Sequence, residues 1–299
     1  MGIFLGIVIG LAVLFLLWLA AMGTRRGERQ MELLRQYRYA HRGLHNIERE
    51  VPENSLLAFR YAIAGGFGAE LDVRLTKDKR LVVVHDSFLD RLCGVHVRVE
   101  EQTLAQLKGL VLQGTKETTP LLEEVLPLFC GRAPLIIELK TENGNYKELC
   151  EAACKLLGTY RGDFCIESFD PRVLHWLKKN EPFILRGQLA EDFTKPGKAP
   201  GYPFLARLAM TMLLPNFLTG PDFIAFRYED RNILPVRLCC GLLKGQEASW
   251  TLRHQSELDL AEQAGALVIF EGFLPKKRPE QPVQGQRQEE PQEQQPQAT

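Results

Sequence analysis

Residues 40–94 read AHRGLHNIEREVPENSLLAFRYAIAGGFGAELDVRLTKDKRLVVVHDSFLDRLCG, and this stretch decides the fold. It carries His41 and His85 beside strand-like runs, Arg42 next to the first, and the carboxylates Glu70 and Asp72 in ELDV. Residues two apart on a strand point to the same face, so Glu70 and Asp72 project side by side. Burying such a pair is costly unless a cation joins them. Two histidines with a paired-carboxylate cation site are equipment for metal-assisted acid–base hydrolysis.

Working outward, short apolar β-branched runs recur with helical segments between them. They are 39–41, 69–73, 81–85, 135–139, 164–168, 184–189, 223–227, 249–252 and 266–270. Only RLTKDKR separates the second from the third, too short for the dozen or more residues that join parallel strands. Leu81–His85 therefore returns as a hairpin arm after strand two, and the remaining runs make an α/β fold, a TIM (β/α)8 barrel. Helix signals agree: Asn54 or Ser55 caps LLAFRYAIA, which Gly65-Gly66 stops, and Thr103–Leu110 and Glu257–Ala264 behave similarly. Active-site residues of such barrels gather at the C-terminal ends of the strands. His41 and Arg42 end strand one, Glu70 and Asp72 lie on strand two, and Glu138 and Lys140 end strand three in LIIELK.

The two ends of the chain differ from its middle. Residues 2–24, GIFLGIVIGLAVLFLLWLAAMGT, carry no charge, and about 20 such residues cross a bilayer as a helix. Arg25, Arg26 and Arg29 follow, with nothing basic before. A cleaved signal peptide is the rival, but it has a basic start and a shorter apolar run. The positive-inside rule then makes this a single-pass membrane protein with its catalytic domain in the cytoplasm. Residues 1–24 read as a transmembrane anchor, 25–36 as a linker, 37–274 as the barrel, and 275–299, rich in Gln, Pro and Glu, as a disordered tail. The 37 basic and 37 acidic side chains cancel, which removes the basic stripe that nucleic-acid binding requires. Seven cysteines, odd in number and without a CxxC pair, read as reduced thiols.

In this arrangement Glu70, Asp72 and Glu138 supply three carboxylates to one divalent cation, Ca²⁺ or Mg²⁺ with Mn²⁺ also admissible. His41 and His85 form the acid–base pair, one taking a proton from an attacking oxygen and one giving a proton to a leaving group. Arg42 offers a bidentate clamp to an anionic substrate group, which the resemblance given below makes a phosphate. Lys140 either holds the same group or neutralises the acids. His45, His96, His175 and His254 are assigned to structure or surface.

The elements HRG, PENS, ELDV, TKD and HD, in this order, resemble the signature of the glycerophosphodiester phosphodiesterase family. The resemblance implies a barrel that hydrolyses glycerophosphodiesters to glycerol 3-phosphate and an alcohol, with metal ligands at Glu70, Asp72 and Glu138. The attacking oxygen is water's, or first that of a neighbouring glycerol hydroxyl through a cyclic phosphate. The resemblance also makes Glu53 and Asn54 site-lining, Asn54 having a helix cap as its alternative. SWTLR resembles the family's WTVN element and puts Trp250 in the pocket. Two departures stand out: Arg253 replaces the usual Asn, and IFEGF replaces the usual ITD ending. Alternatives are a lysophospholipase D acting on lysophospholipids in the bilayer, and a silent membrane-tethered barrel that binds lipid headgroups or partners. Protein partners are not readable. Between Tyr202 and Thr219 only Arg207 is charged, so the segment is either an outer barrel helix or an element dipping into lipid.

Overall fold

In the computed structural model, residues 1–25 and 28–278 are described. Parallel pairing runs through β1 (Tyr39–Ala40), β2 (Gly68–Leu75), β4 (Leu135–Leu139), β5 (Phe164–Ser168), β6 (Arg186–Ala190), β7 (Phe223–Arg227), β8 (Gln246–Leu252) and β9 (Leu267–Phe270). β9 pairs back onto β1, which closes the barrel. The ninth strand, β3 (Leu81–Val83), pairs antiparallel with β2 and stays outside the ring, so eight strands form the barrel as the short RLTKDKR connection requires.

Helices fill the crossovers. They are α3 (Leu56–Ala64), α6 (Leu122–Phe129), α7 (Tyr146–Leu157), α8 (Pro171–Asn180) and α12 (Gln255–Gln263). Shorter pieces are α4 (Asp90–Cys93) and α5 (Leu104–Lys108) after the hairpin, α9 (Phe204–Thr211) and α10 (Asn216–Thr219) between β6 and β7, and α11 (Leu234–Val236) before β8. The cap of α3 is Ser55, whose hydroxyl accepts from the Ala58 N–H, which frees Asn54 for another role.

Strand alternation sorts the side chains into two cores. Leu71, Val73, Leu135, Ile137 and Ile166 pack outward against the helices. Tyr39, Ile136, Cys165, Phe223, Ala248 and Ile269 fill the lower barrel interior. All seven cysteines are free thiols.

Two helices precede β1. α1 (Gly2–Met22) is long and apolar enough to cross a membrane, and its last turns pack on the barrel through Trp18, Leu19 and Met22. The segment expected to be a linker contains α2 (Glu28–Arg35), an amphipathic helix across the N-terminal, closed end of the barrel. Met31 and Leu34 of α2 are buried in the lower interior core, and the Leu34 carbonyl accepts from the Tyr39 hydroxyl. Their spacing of three residues puts both on one helix face, which the polar neighbours in ERQMELLR hide from a simple hydropathy reading. Of the expected tail, residues 279–299 lie outside the described residues, as does Arg26. Arg278, near its start, pairs with Glu262 on α12.

Because α2 floors the barrel, Leu34→Ala should destabilise the protein by about 2–5 kcal/mol, the usual cost of emptying a well-packed core position. Chemical denaturation of the detergent-solubilised chain measures this. A loss within experimental error would mean that α2 only rests on the barrel.

Candidate active site

All barrel strands run toward one rim, so polar residues near their C-terminal ends converge although they are far apart in sequence. On β2 the inward positions are Glu70 and Asp72, the alternate residues Leu71 and Val73 facing the outer core. Across the sheet Asp72 stands beside Glu138 of β4, and Glu138 beside Glu167 of β5. Oxygens from Glu70, Asp72 and Glu138 lie within 4.8 Å of one another, and all three residues are buried.

Two cations face this cluster. Lys140 Nζ is 2.8 Å from Glu138 Oε1 and 3.3 Å from Asp72 Oδ1. Arg42 Nε is 3.4 Å from Asp72 Oδ2, and its Nη1 donates to Glu53 Oε1 at 2.8 Å. The Arg42 backbone N–H donates to Glu70 Oε2 at 3.1 Å, and Asn54 Nδ2 donates to Asp72 Oδ2 at 2.8 Å. The HRG turn makes this possible. Arg42 has φ 54°, and at Gly43 a Cβ would stand 2.8 Å from the Ala58 Cβ, so only glycine fits there.

Among the described residues, the four buried carboxylates Glu70, Asp72, Glu138 and Glu167 meet Arg42 and Lys140 as close positive charges. Burial, with Asp72 and Glu138 adding repulsion, pushes Glu70 well above the ordinary carboxylate range. Burial likewise raises Glu138, against the pull of Lys140. For Asp72 the burial penalty is outweighed by Lys140, His85 and Arg42, which hold it well below. Asp72 Oδ1 accepts no hydrogen bond although it is buried. An orphaned oxygen, a surplus of negative charge and an all-oxygen donor set fit one hard divalent cation. Without a cation, Glu70 and Glu138 are the two acids that burial and repulsion push toward keeping their protons.

His41 Nδ1 lies 3.1 Å from Glu271 Oε1, and its Nε2 is 3.8 Å from Glu70 Oε2. Burial, reinforced by Arg42, lowers the His41 pKa in spite of the Glu271 hydrogen bond. His85 Nδ1 lies 2.6 Å from Asp86 Oδ1. Asp86 is held down at about 2, first by that bond to His85. An ionised carboxylate only accepts, so in both rings Nδ1 carries the proton and Nε2 is the basic nitrogen.

Several residues here are missed by sequence reasoning. Arg91 donates to both oxygens of Glu53 and through Nε to Asp86 Oδ2 at 2.8 Å. His45, read as structural or surface, lies 3.2 Å from the same Glu271 oxygen as His41. Arg253 Nη2 donates to Glu271 Oε2 at 2.6 Å. The two departures from the family pattern thus meet each other. The departure from the family pattern at both positions was the available signal.

A cleft of about 640 Å³ opens at this rim between Glu138, Lys140 and Arg172 on one side and Phe169, Tyr202 and Met210 on the other. Trp250 does not line it. Its indole N–H donates to the Ala225 carbonyl, and its ring meets Phe169, which does line the cleft, edge-on at 5.7 Å.

Comparison with known proteins adds the family. The sequence model of the glycerophosphoryl diester phosphodiesterase family matches residues 41–199. A protein of Bacillus altitudinis named glycerophosphodiester phosphodiesterase is 38% identical over 116 residues, 36% of this chain and 46% of that one. One of the same name from Caldanaerobacter subterraneus is 36% identical over 160 residues, 50% of this chain and 65% of that one. The chain thus spans less than two thirds of the length of either relative. A rat protein named lysophospholipase D is 34% identical over 104 residues, 30% of this chain and 33% of that one. Among solved structures, an Oleispira antarctica phosphodiesterase in complex with the product sn-glycerol-3-phosphate superposes with TM-score 0.63 at 22% identity, covering 79% of this chain and 92% of that one. This likeness is one of fold. With more than half of its length matched from the HRG histidine onward, the chain belongs to the glycerophosphoryl diester phosphodiesterase family.

Proposed function

We propose that this chain hydrolyses glycerophosphodiesters to glycerol 3-phosphate and an alcohol, using one divalent cation, Ca²⁺, Mg²⁺ or Mn²⁺, held by Glu70, Asp72 and Glu138. The observation that carries the reading is the buried carboxylate triad, flanked by two histidines whose Nδ1 protons are each committed to a carboxylate. A silent barrel would gain nothing from keeping that costly charge surplus together.

Arg42 and Lys140 offer the substrate phosphate two positive charges at the rim. Glu53 and Arg91 keep the Arg42 guanidinium from collapsing wholly onto Asp72. The Nε2 of one histidine takes a proton from the attacking oxygen. The Nε2 of the other, protonated beforehand, gives one to the alkoxide as the phosphorus–oxygen bond breaks. The cation, when bound, supplies Lewis acidity and positive charge to the phosphoryl oxygens. Asn54 holds Asp72 in place, which makes it a positioning residue and not a helix cap.

Chelation should abolish hydrolysis of glycerophosphocholine, and Ca²⁺, Mg²⁺ or Mn²⁺ should restore it. Asp72→Ala should lose activity while keeping its melting temperature within a few degrees. Full turnover by Asp72→Ala in excess EDTA would remove the cation from the scheme.

His41→Ala and His85→Ala should each lower kcat by roughly 10²–10⁴-fold with KM little changed, the usual contribution of a positioned acid or base. A variant with native kcat reassigns that histidine to structure.

Glu271→Gln keeps the shape but weakens the hold on the His41 tautomer. Its kcat should fall about 10–100-fold, as for other groups that orient a working histidine, and Arg253→Ala should have a smaller effect. An unchanged kcat for Glu271→Gln would show that His41 needs no such support.

A further inference from the structure

The way α1 is seated fixes which end of the barrel meets a membrane. Three contacts run in register along its last turns. Trp18 Nε1 donates to the Met212 carbonyl, Asn216 Nδ2 donates to the Met22 carbonyl, and the Arg25 N–H donates to the Pro221 carbonyl. The segment that α1 follows descends from the rim, where Tyr202 and Met210 line the cleft, to Pro221, which immediately precedes β7 at the closed end. α1 therefore runs down the barrel flank from rim to floor, and α2 turns under the floor, where Met31 and Leu34 are buried. From Arg25 beside Pro221 back to Trp18 beside Met212, two residues after the cleft-lining Met210, α1 climbs toward the rim. Its earlier residues are apolar and exposed, and in the segment after β6 Phe204 is 55% and Leu205 75% exposed. Leu213, by contrast, is fully buried against Met22 and Phe226. The 202–219 segment is thus split, its middle serving the barrel core and its start facing outward at the rim.

We propose that the rim of the barrel, and with it the cleft, faces the bilayer that α1 crosses, with Phe204 and Leu205 set into the lipid surface. The cleft then receives a single-chain glycerophospholipid from the membrane. This rests on the reading of the chain as a glycerophosphodiester hydrolase anchored by α1. The cleft suits such a substrate. Arg74, Lys140 and Arg172 stand on its polar side with the acids Glu138, Asp170 and Glu191, while Phe169, Phe193 and Met210 form one apolar wall for one acyl chain. The reaction is the same hydrolysis: water adds to phosphorus, the headgroup alcohol leaves with a proton, and the acylated glycerol keeps the phosphate.

The full chain is reconstituted into phosphatidylcholine vesicles that contain bromine-labelled lipid, with a fluorescent amino acid at position 205 or, at the opposite end, position 183. Phe183, 90% exposed, precedes β6 at the closed end. Quenching at 205 and not at 183 is expected; quenching at 183, or at neither, overturns the orientation. In the same vesicles, the double variant Phe204→Asp, Leu205→Asp should lose about tenfold or more of its activity on lysophosphatidylcholine, since interfacial affinity scales with buried apolar area. Its activity on soluble glycerophosphocholine should remain. Equal retention of both activities rejects the lipid-fed cleft. If the unaltered chain hydrolyses neither compound, the hydrolase reading fails, and the quenching pattern still decides the orientation. A mature N-terminus found after Met22 by mass spectrometry overturns the proposal outright.

Discussion

The rest of this structure depends on keeping Glu70, Asp72, Glu138 and Glu167 buried together near one end of a barrel. Each buried charge costs several kcal/mol unless it is compensated, and Lys140 and Arg42 answer only part of the total. The surplus has two outlets, protons on Glu70 and Glu138 or a divalent cation among the three clustered acids. Neighbouring groups keep the cluster open. Asn54 and the Arg42 backbone occupy one side of Asp72 and Glu70, leaving Asp72 Oδ1 with the Lys140 ammonium at 3.3 Å and no hydrogen bond.

Around that cluster, one continuous polar chain joins three separate sequence motifs through Arg91. Arg42 of HRG bonds Glu53 of PENS, Glu53 bonds Arg91, Arg91 bonds Asp86, and Asp86 bonds His85. The chain ties the turn that carries His41 to His85 through charged partners. On the other flank, Glu271 accepts from His41 and His45 while Arg253 closes its second oxygen. Those hydrogen bonds outweigh the burial penalty and hold Glu271 far below the ordinary carboxylate range. The two positions that depart from the family pattern, Arg253 and Glu271, are bonded to each other.

The membrane-length helix and the barrel are not independent parts. Its last turns complete the outer core over β6 and β7, where Met22 packs with Ile224, Phe226 and Cys239. The next helix completes the inner core from below. Both ends of the barrel interior are thereby committed, the floor to α2 and the rim to the cleft. A helix fixed along one flank leaves the domain in only one direction.

Much of this was legible in the residues themselves. Alternation in ELDV and LIIELK placed Glu70, Asp72 and Glu138 on inward strand faces, because a strand has a period of two and admits no other solution when one face is apolar. The RLTKDKR spacing excluded β3 from the barrel, since a parallel crossover needs more chain. The apolar run of α1 follows from composition alone. Tertiary structure decided the rest. Ser55 and Asn54 offer equal caps on paper, and only the position of Asp72 assigns Asn54 to the site. Trp250, placed in the pocket by its motif, stands behind Phe169 because its indole N–H needed a partner and found the Ala225 carbonyl. The pairing of Glu271 with His41, and the seating of α1 with the rim above it, join residues more than 190 positions apart. No local pattern encodes such contacts, because the first arises only when the barrel closes its first strand on its last and the second only when α1 docks on the finished flank.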